Sequence, residues 1–240
     1  DIYIKEGATV VLTGRSEEKG QAIANRLGDK AHYIKADVSK EEDIANTISE
    51  TVERFGKLDV LFNNAGGPVG GTIDSIASGD INYGVDLLLS SVILGIRYAI
   101  EPMKANGGGV IINNTSIAAI RYRQGNLLYS ALKAAVTHYT KLAGVELGPL
   151  GIRVNCISPG AIATPIFWGG SAIANTKTDE DNARKLEKLK SNLAKATPLQ
   201  IPGLAEDIAN GALFIASDEG RFINSHDLVI DGGRTSMFNE

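Results

Sequence analysis

Six short apolar runs, at residues 8–13, 31–34, 58–62, 110–114, 152–157 and 227–230, alternate with longer segments whose apolar residues recur at helical spacing. No other feature constrains the fold as strongly. Strands separated by helix-length segments do not close as tight hairpins; they join a parallel sheet through crossover helices that cover its faces. The expected class is therefore α/β, a doubly wound, mostly parallel, Rossmann-like sheet in three layers. Helical periodicity is clearest at 17–27, 41–55, 80–104, 126–148 and 205–217, with Asp80 and Glu206 near starts and Gly28, Gly56 and Gly148 near ends. Asp1 to Glu6 reads as the last turn of a helix stopped by Gly7.

With 240 residues, 43% of them hydrophobic and 22% charged, the chain is long enough for one large core, and a single domain over 1–240 is expected. A net charge of −4 with dispersed lysines argues against a nucleic-acid groove. The longest apolar stretch, Val85 to Ile96, is broken by Asp86, Ser90, Ser91 and Gly95 and reads as too short to cross a bilayer, so no membrane partner is expected. Residues 1–12 do not read as a signal peptide. Cys156 is the single cysteine, which rules out an internal disulfide and fits a reducing, cytoplasmic setting. Its apolar neighbours suggest a buried structural thiol. His32, His138 and His226 lie far apart in sequence and form no metal-ligand pattern.

One segment breaks the rhythm. Residues 164–203 carry Phe167, Trp168, a Gly-Gly pair and a charged helix-like run from Asp179 to Lys195. A connection of that length in a compact domain is usually a lid or binding loop, and two aromatic side chains are costly to leave in water. A surface insertion is the alternative.

The chemistry concentrates at Tyr129 and Lys133. They sit in a helical stretch that begins at Asn126, so they fall on one face a turn apart, and Ser116 lies thirteen residues upstream at the end of an apolar run. A phenol at its ordinary pKa of ~10 is a poor base, but a fixed ammonium nearby favours the phenolate. A surface Tyr and Lys on an amphipathic helix is the plainer reading of that spacing alone. Around the pair stand Asn63-Asn64-Ala65-Gly66 after the run 58–62, and Ile152-Arg153-Val154-Asn155 leading into Pro159-Gly160.

With these motifs together, from about Gly7 to Gly233, the sequence resembles the short-chain dehydrogenase/reductase family of NAD(P)-dependent oxidoreductases. The resemblance implies that Tyr129 exchanges a proton with the substrate oxygen. It implies that Lys133 lowers the phenol's pKa and holds the nicotinamide ribose, and that Ser116 hydrogen-bonds the carbonyl. A secondary alcohol or ketone is the implied small-molecule substrate, and residues 164–203 correspond to the family's substrate-covering segment. Related dehalogenases carry arginine in place of the lysine, and enoyl reductases on this fold use a longer step from Tyr to Lys. A homo-oligomer, tetramer or dimer, is implied through helices 80–104 and 126–148, with Leu87, Leu89, Val92, Ile93, Val136, Leu142 and Leu147 as apolar positions.

The same resemblance assigns the cofactor contacts. Gly14 stands where NAD-preferring members have an acid for the ribose 2′-hydroxyl; Arg15, with Ser16, is placed to meet the 2′-phosphate of NADP instead. NADP is therefore expected, with NAD as the alternative. Asp37 and Val38 resemble the pair beside the adenine, and Asn64, Ala65 and Gly66 the segment along the adenosine ribose. Pro159, Gly160, Ile162 and Thr164 match the stretch laid along the nicotinamide.

Two departures stand out. The family's Gly-rich phosphate turn and first strand would precede Asp1, so the expectation is a portion of a longer protein, or another element in that place. Leu88 occupies the position of an Asn that helps a water chain to the lysine, and Asn82, six residues earlier and roughly 240° around the helix, cannot replace it. A catalytically weak or inactive binding or scaffold member is the alternative function these departures support.

Overall fold

The structure, a computed structural model, describes residues 1–237, and of Ser171 and Ala172 only the backbone; Phe238 to Glu240 lie outside the described residues. Its strands are β1 (Val10–Gly14), β2 (Ala31–Lys35), β3 (Val60–Asn63), β4 (Gly109–Asn114), β5 (Ile152–Pro159) and β6 (Asp227–Ile230). Every pairing between them is parallel. The helices are α1 (Ile2–Lys5), α2 (Glu17–Leu27), α3 (Glu41–Phe55), α4 (Ser78–Val85), α5 (Ser91–Ala105), α6 (Leu127–Leu147), α7 (Gly170–Ala174), α8 (Asp179–Ala194) and α9 (Ala205–Ala216). Gly7, with φ +96°, follows α1 as its stop.

The sheet is divided. β1 pairs with β2, and β3-β4-β5-β6 form a separate four-stranded sheet. β1 and β3 thus each keep one edge without a strand partner among the described residues. Burial follows from this: β4 and β5, flanked on both sides and covered on both faces, are buried almost throughout, whereas β1 and β3 are only half-buried.

Two apolar layers enclose the four-stranded sheet. On one face Ile44 and Ile48 of α3, Val92, Ile96, Ala99 and Met103 of α5, and Val136, Ala143 and Leu147 of α6 pack on Ile111, Ile152 and Val154. On the other, Ile208, Ala212 and Ile215 of α9 pack on Val110, Ile112 and Ile157, with Tyr3 of α1 alongside. Val92, Val136 and Leu147, read from the sequence as interface positions, are therefore core residues. Leu142 and Val145, one helical step away, are exposed instead.

The run read as a short apolar stretch is part of a longer element. α4, a π-helical turn at Asp86–Ser90 and α5 form one continuous helix from Ser78 to Ala105, long and apolar enough by length and composition to cross a bilayer. In this fold Val92, Ile96, Ala99 and Met103 face the core, as expected for a central helix packed between α3 and α6, while Ile81 and Tyr83 are exposed. Gly95 allows the close approach: a Cβ there would lie 2.4 Å from Asn63 Oδ1 at the end of β3. Overpacking of a filled interior costs about 1–3 kcal/mol. Gly95→Ala is accordingly expected to lower stability by that amount, read as a lower urea midpoint with an unchanged slope.

Candidate active site

Asn126 starts α6. Its side chain accepts from Tyr129 N at 2.8 Å and donates to Val69 O, so one residue caps the helix and ties it to the β3–α4 loop. The cap sets the helix start and hence where Tyr129 and Lys133 point. Ser116, two residues beyond β4, caps a short 3₁₀ turn at Ile117–Ala119, its Oγ accepting from Ala118 N at 3.1 Å. The Ser116 hydroxyl lies near enough to the Tyr129 phenol to favour its ionised form. The structure thus brings the hydroxyl and the phenol together, with Lys133 Nζ 5.7 Å from the centre of the tyrosine ring.

Lys133 is only 4% exposed, and its Nζ donates to Asn114 O at 2.7 Å. Burial lowers its pKa to about 8. The phenol goes the other way from the expectation: burial raises its pKa, only partly offset by the Ser116 hydroxyl. In this geometry desolvation outweighs any help from the ammonium, and Tyr129 is held as a proton donor. The thiol of Cys156 is buried and pushed up to about 12, first by burial and then by the charge of Asp227, as expected of a structural cysteine.

Asn114, which the sequence motifs do not single out, completes the site with Asn64. Asn114 accepts the lysine's hydrogen bond at its backbone carbonyl and donates from Nδ2 to Asn64 Oδ1 at 2.9 Å. Its own Oδ1 is buried without a partner. Gly66 is the close neighbour, for a Cβ there would lie 4.0 Å from Lys133 Nζ and 3.5 Å from Leu88 Cδ2. Asn64, Ala65 and Gly66 are exposed beside these groups, so an orphaned acceptor, an open glycine wall and a buried amine converge on one place. That donor set suits a sugar hydroxyl. Asn126 could have been found as an N-cap from its position three residues before Tyr129; Asn114 could not, because its bonds are all to residues distant in sequence.

Leu88 is completely buried in the π-helical turn, packed with Val69 and Leu132 and against Tyr129. This apolar cluster fills the side of the site where the family's relay Asn would stand, as expected from Leu88, and the lysine bonds Asn114 O.

Arg15 and Ser16 stand at the other end, in the turn between β1 and α2. Arg15 is exposed, and Ser16, the N-cap of α2, makes no side-chain cap bond. Asp37, just past β2, lies within the field of Arg15. Partial burial pushes its carboxyl up, but two hydrogen bonds from Ser39 and the charges of Arg15 and Lys40 hold it below its ordinary value. Val38 packs against the α3–α5 side of the core.

Pro159 ends β5, and Gly160 and Ile162 follow it. Ile162 bridges Gly203, so the segment 164–203 leaves and returns at one point. Thr164 Oγ1 donates to Ile162 O at 3.4 Å. Within the segment, a 3₁₀ turn at Pro165–Trp168 precedes α7 and α8, and Asn182 of α8 donates to Ala174 O of α7 at 2.9 Å. Lys19 of α2 reaches Asn175 at 2.6 Å. The covering segment is therefore structured and spans toward the Arg15 turn. Phe167, expected to be sheltered, is half-exposed, while Trp168 has its Nε1 buried.

Comparisons with known proteins agree with this architecture. Residues 2–235 match the family model described as enoyl-(acyl carrier protein) reductase. Momilactone A synthase of Oryza sativa subsp. japonica is 35% identical over 235 residues, covering 97% of this chain and 82% of the relative. A 3-alpha-(or 20-beta)-hydroxysteroid dehydrogenase of Mycobacterium bovis is 35% identical over 231 residues, with 96% and 81% covered. Among solved structures, L-sorbose reductase from Gluconobacter frateurii, complexed with NADPH and L-sorbose, superposes with a TM-score of 0.86 at 29% identity, covering 98% of this chain and 90% of that one. The chain belongs to the short-chain dehydrogenase/reductase family, whose members are dehydrogenases and reductases.

The depressed pKa of Lys133 carries a stability consequence. Its folded pKa of about 8 lies below the ordinary lysine value of 10.5, so the native state binds fewer protons than the unfolded chain between those values. Stability contributed by this site therefore rises from pH 8 to 10.5. Lys133→Met removes the burial penalty and is expected to raise the unfolding midpoint at pH 7 while abolishing activity. The gain over the unmodified protein should vanish as the pH approaches 10.5; a midpoint that falls at pH 7 would count against a strained buried amine.

Proposed function

We propose that this protein is an NADP(H)-dependent oxidoreductase that interconverts a secondary alcohol and a ketone, and that it favours apolar substrates. The observation that carries the reading is the buried amine of Lys133, 5.7 Å from the centre of the Tyr129 ring, with the Ser116 hydroxyl near the phenol. Ser116 Oγ and Tyr129 Oη can both donate to one carbonyl oxygen, and the phenol's raised pKa keeps its proton available for reduction. The nicotinamide, when bound, supplies or accepts the hydride. Lys133, Asn114 Oδ1 and Asn64 are the groups that would hold the adjoining ribose, and Pro159 to Thr164 the stretch that would face the ring.

NADP is favoured by Arg15 next to Gly14, which stands where NAD-preferring members carry an acid, and by the NADPH complex of the sorbose reductase relative. Apolar substrates are favoured by Ile120 and Tyr122 on the loop from Ser116 to Tyr129, and by Ile166 and Phe167 at the start of the covering segment, all exposed. The hydroxysteroid dehydrogenase among the relatives is consistent with this class. A second reading, a binding member without nicotinamide chemistry, is favoured by Leu88, completely buried at the position of the relay Asn. Fluorescence titration with NADPH separates the two, because the second reading requires no binding.

Tyr129→Phe is expected to reduce ketone reduction by at least about a hundredfold with the fold intact, since only the ionisable oxygen is removed. Activity retained within a few-fold would reject the assignment. The exposed Leu142 and Val145 on α6 and Ile81 and Tyr83 on α4 further support a homo-oligomer. Light scattering at micromolar concentration should give a multiple of 25.4 kDa; a monomer peak would refute it.

A further inference from the structure

Tyr33, the middle residue of β2, is opposite Leu12 of β1 in the ladder, yet its hydroxyl reaches past the end of the neighbouring strand. It donates to Gly14 O at 2.6 Å and lies 2.9 Å from Ser16 O, so one phenolic proton is shared between the carbonyls on either side of Arg15. Ser16 O also accepts from Gly20 N at 3.0 Å, which links the same turn to the first turn of α2. The ring itself lies in a notch over α2: a Cβ on Gly20 would sit 2.0 Å from Tyr33 Cε2, and one on Gly14 3.8 Å from the hydroxyl. Glycine inside a helix is unfavourable, so α2 gives up helix propensity at the one position where the ring must pass. The turn that carries Arg15 is thus clamped from beneath by the Tyr33 side chain.

We propose that Tyr33 is a positioning residue for cofactor discrimination: by holding the carbonyls of Gly14 and Ser16 it fixes the turn from which Arg15 meets the 2′-phosphate of NADP. The proposal rests on the NADP reading above and adds to it the residue that gives Arg15 a fixed geometry. A guanidinium on a loose turn attracts either nucleotide weakly. On a fixed turn it makes a directional, charge-assisted contact that only the 2′-phosphate can accept. Partial burial, and then the charge of Glu17, raises the pKa of Tyr33, which keeps the donor protonated.

The test is fluorescence titration of NADPH and NADH against the unmodified chain, Tyr33→Phe and Gly20→Ala, with an unfolding midpoint for each. Losing one hydrogen bond of ordinary strength should weaken NADPH binding by about three- to tenfold in Tyr33→Phe while NADH changes by less than about twofold. Gly20→Ala crowds the ring without removing the hydroxyl and should shift the NADPH-to-NADH ratio in the same direction. A clamp that is only structural lowers the midpoint and leaves the ratio unchanged in both variants, which overturns the proposal while the oxidoreductase reading stands. Equal affinity of the unmodified chain for the two nucleotides also overturns it. Binding of neither removes both this proposal and the NADP reading.

Discussion

Asn113 is the side chain on which the rest of the site depends. It is completely buried on β4, accepts from Asn63 Nδ2 of β3 at 2.8 Å and donates to Thr140 Oγ1 of α6 at the same distance. A buried amide without partners is expensive, at about 1–3 kcal/mol for each group left unpaired, so the three residues form an all-or-none link. Through it, the lateral position of α6 over β3 and β4 is determined two turns below Lys133. Asn126 then fixes the start of the same helix. Apolar packing alone would hold α6 against the sheet but would tolerate small slides along it, and a slide would separate Tyr129 from Ser116. Gly95 is part of the arrangement, because α5 must come close enough to leave Asn63 facing Asn113 rather than water.

Once α6 is fixed, burial governs its chemistry. Lys133 enters an environment lined by Leu88, Gly66 and the backbone of Asn114, where its charge is disfavoured. Tyr129 lies in the same environment, where ionisation is disfavoured too. Desolvation therefore pushes the two pKa values past each other and apart, from 10.5 down to about 8 for the amine and upward from 10.0 for the phenol. The order of the two is inverted from that in water, so the amine loses its proton before the phenol does. Such a pair stays neutral in the phenol and titratable in the amine near physiological pH, the opposite of the simple picture in which a permanent ammonium makes a phenolate.

Much of this was legible in the sequence. The parallel α/β class followed from the alternation of runs, and the helix bounds at α2 and α3 coincide with the periodic segments because both are amphipathic and stopped by glycine. Tyr129, Lys133 and Ser116 were legible because a four-residue step on a helix is a local geometric fact. What was not legible is the set of contacts made across the sheet. Asn114 meets Asn64, and Tyr33 meets the turn at Gly14, through pairings between residues many positions apart that no periodicity encodes. The sign of the phenol's shift was also hidden, since neighbouring charge can be read from a motif but burial cannot.

The divided sheet explains how the two ends of the site are held together. The turn with Arg15 and the carboxyl of Asp37 belong to the β1–β2 pair, whereas Ser116, Tyr129 and Lys133 belong to the four-stranded sheet and its covering helix. No ladder between strands joins the two sheets among the described residues. The connection runs through α3, whose Ile44 and Ile48 pack with Val92 and Ile96 of α5, and through the contact of Lys19 with the covering segment. Each buried isoleucine contributes about 1.5–3 kcal/mol, enough to hold the helices together but without the directional precision of strand hydrogen bonds. Among the described residues, the spacing between the two ends is therefore set by helix packing.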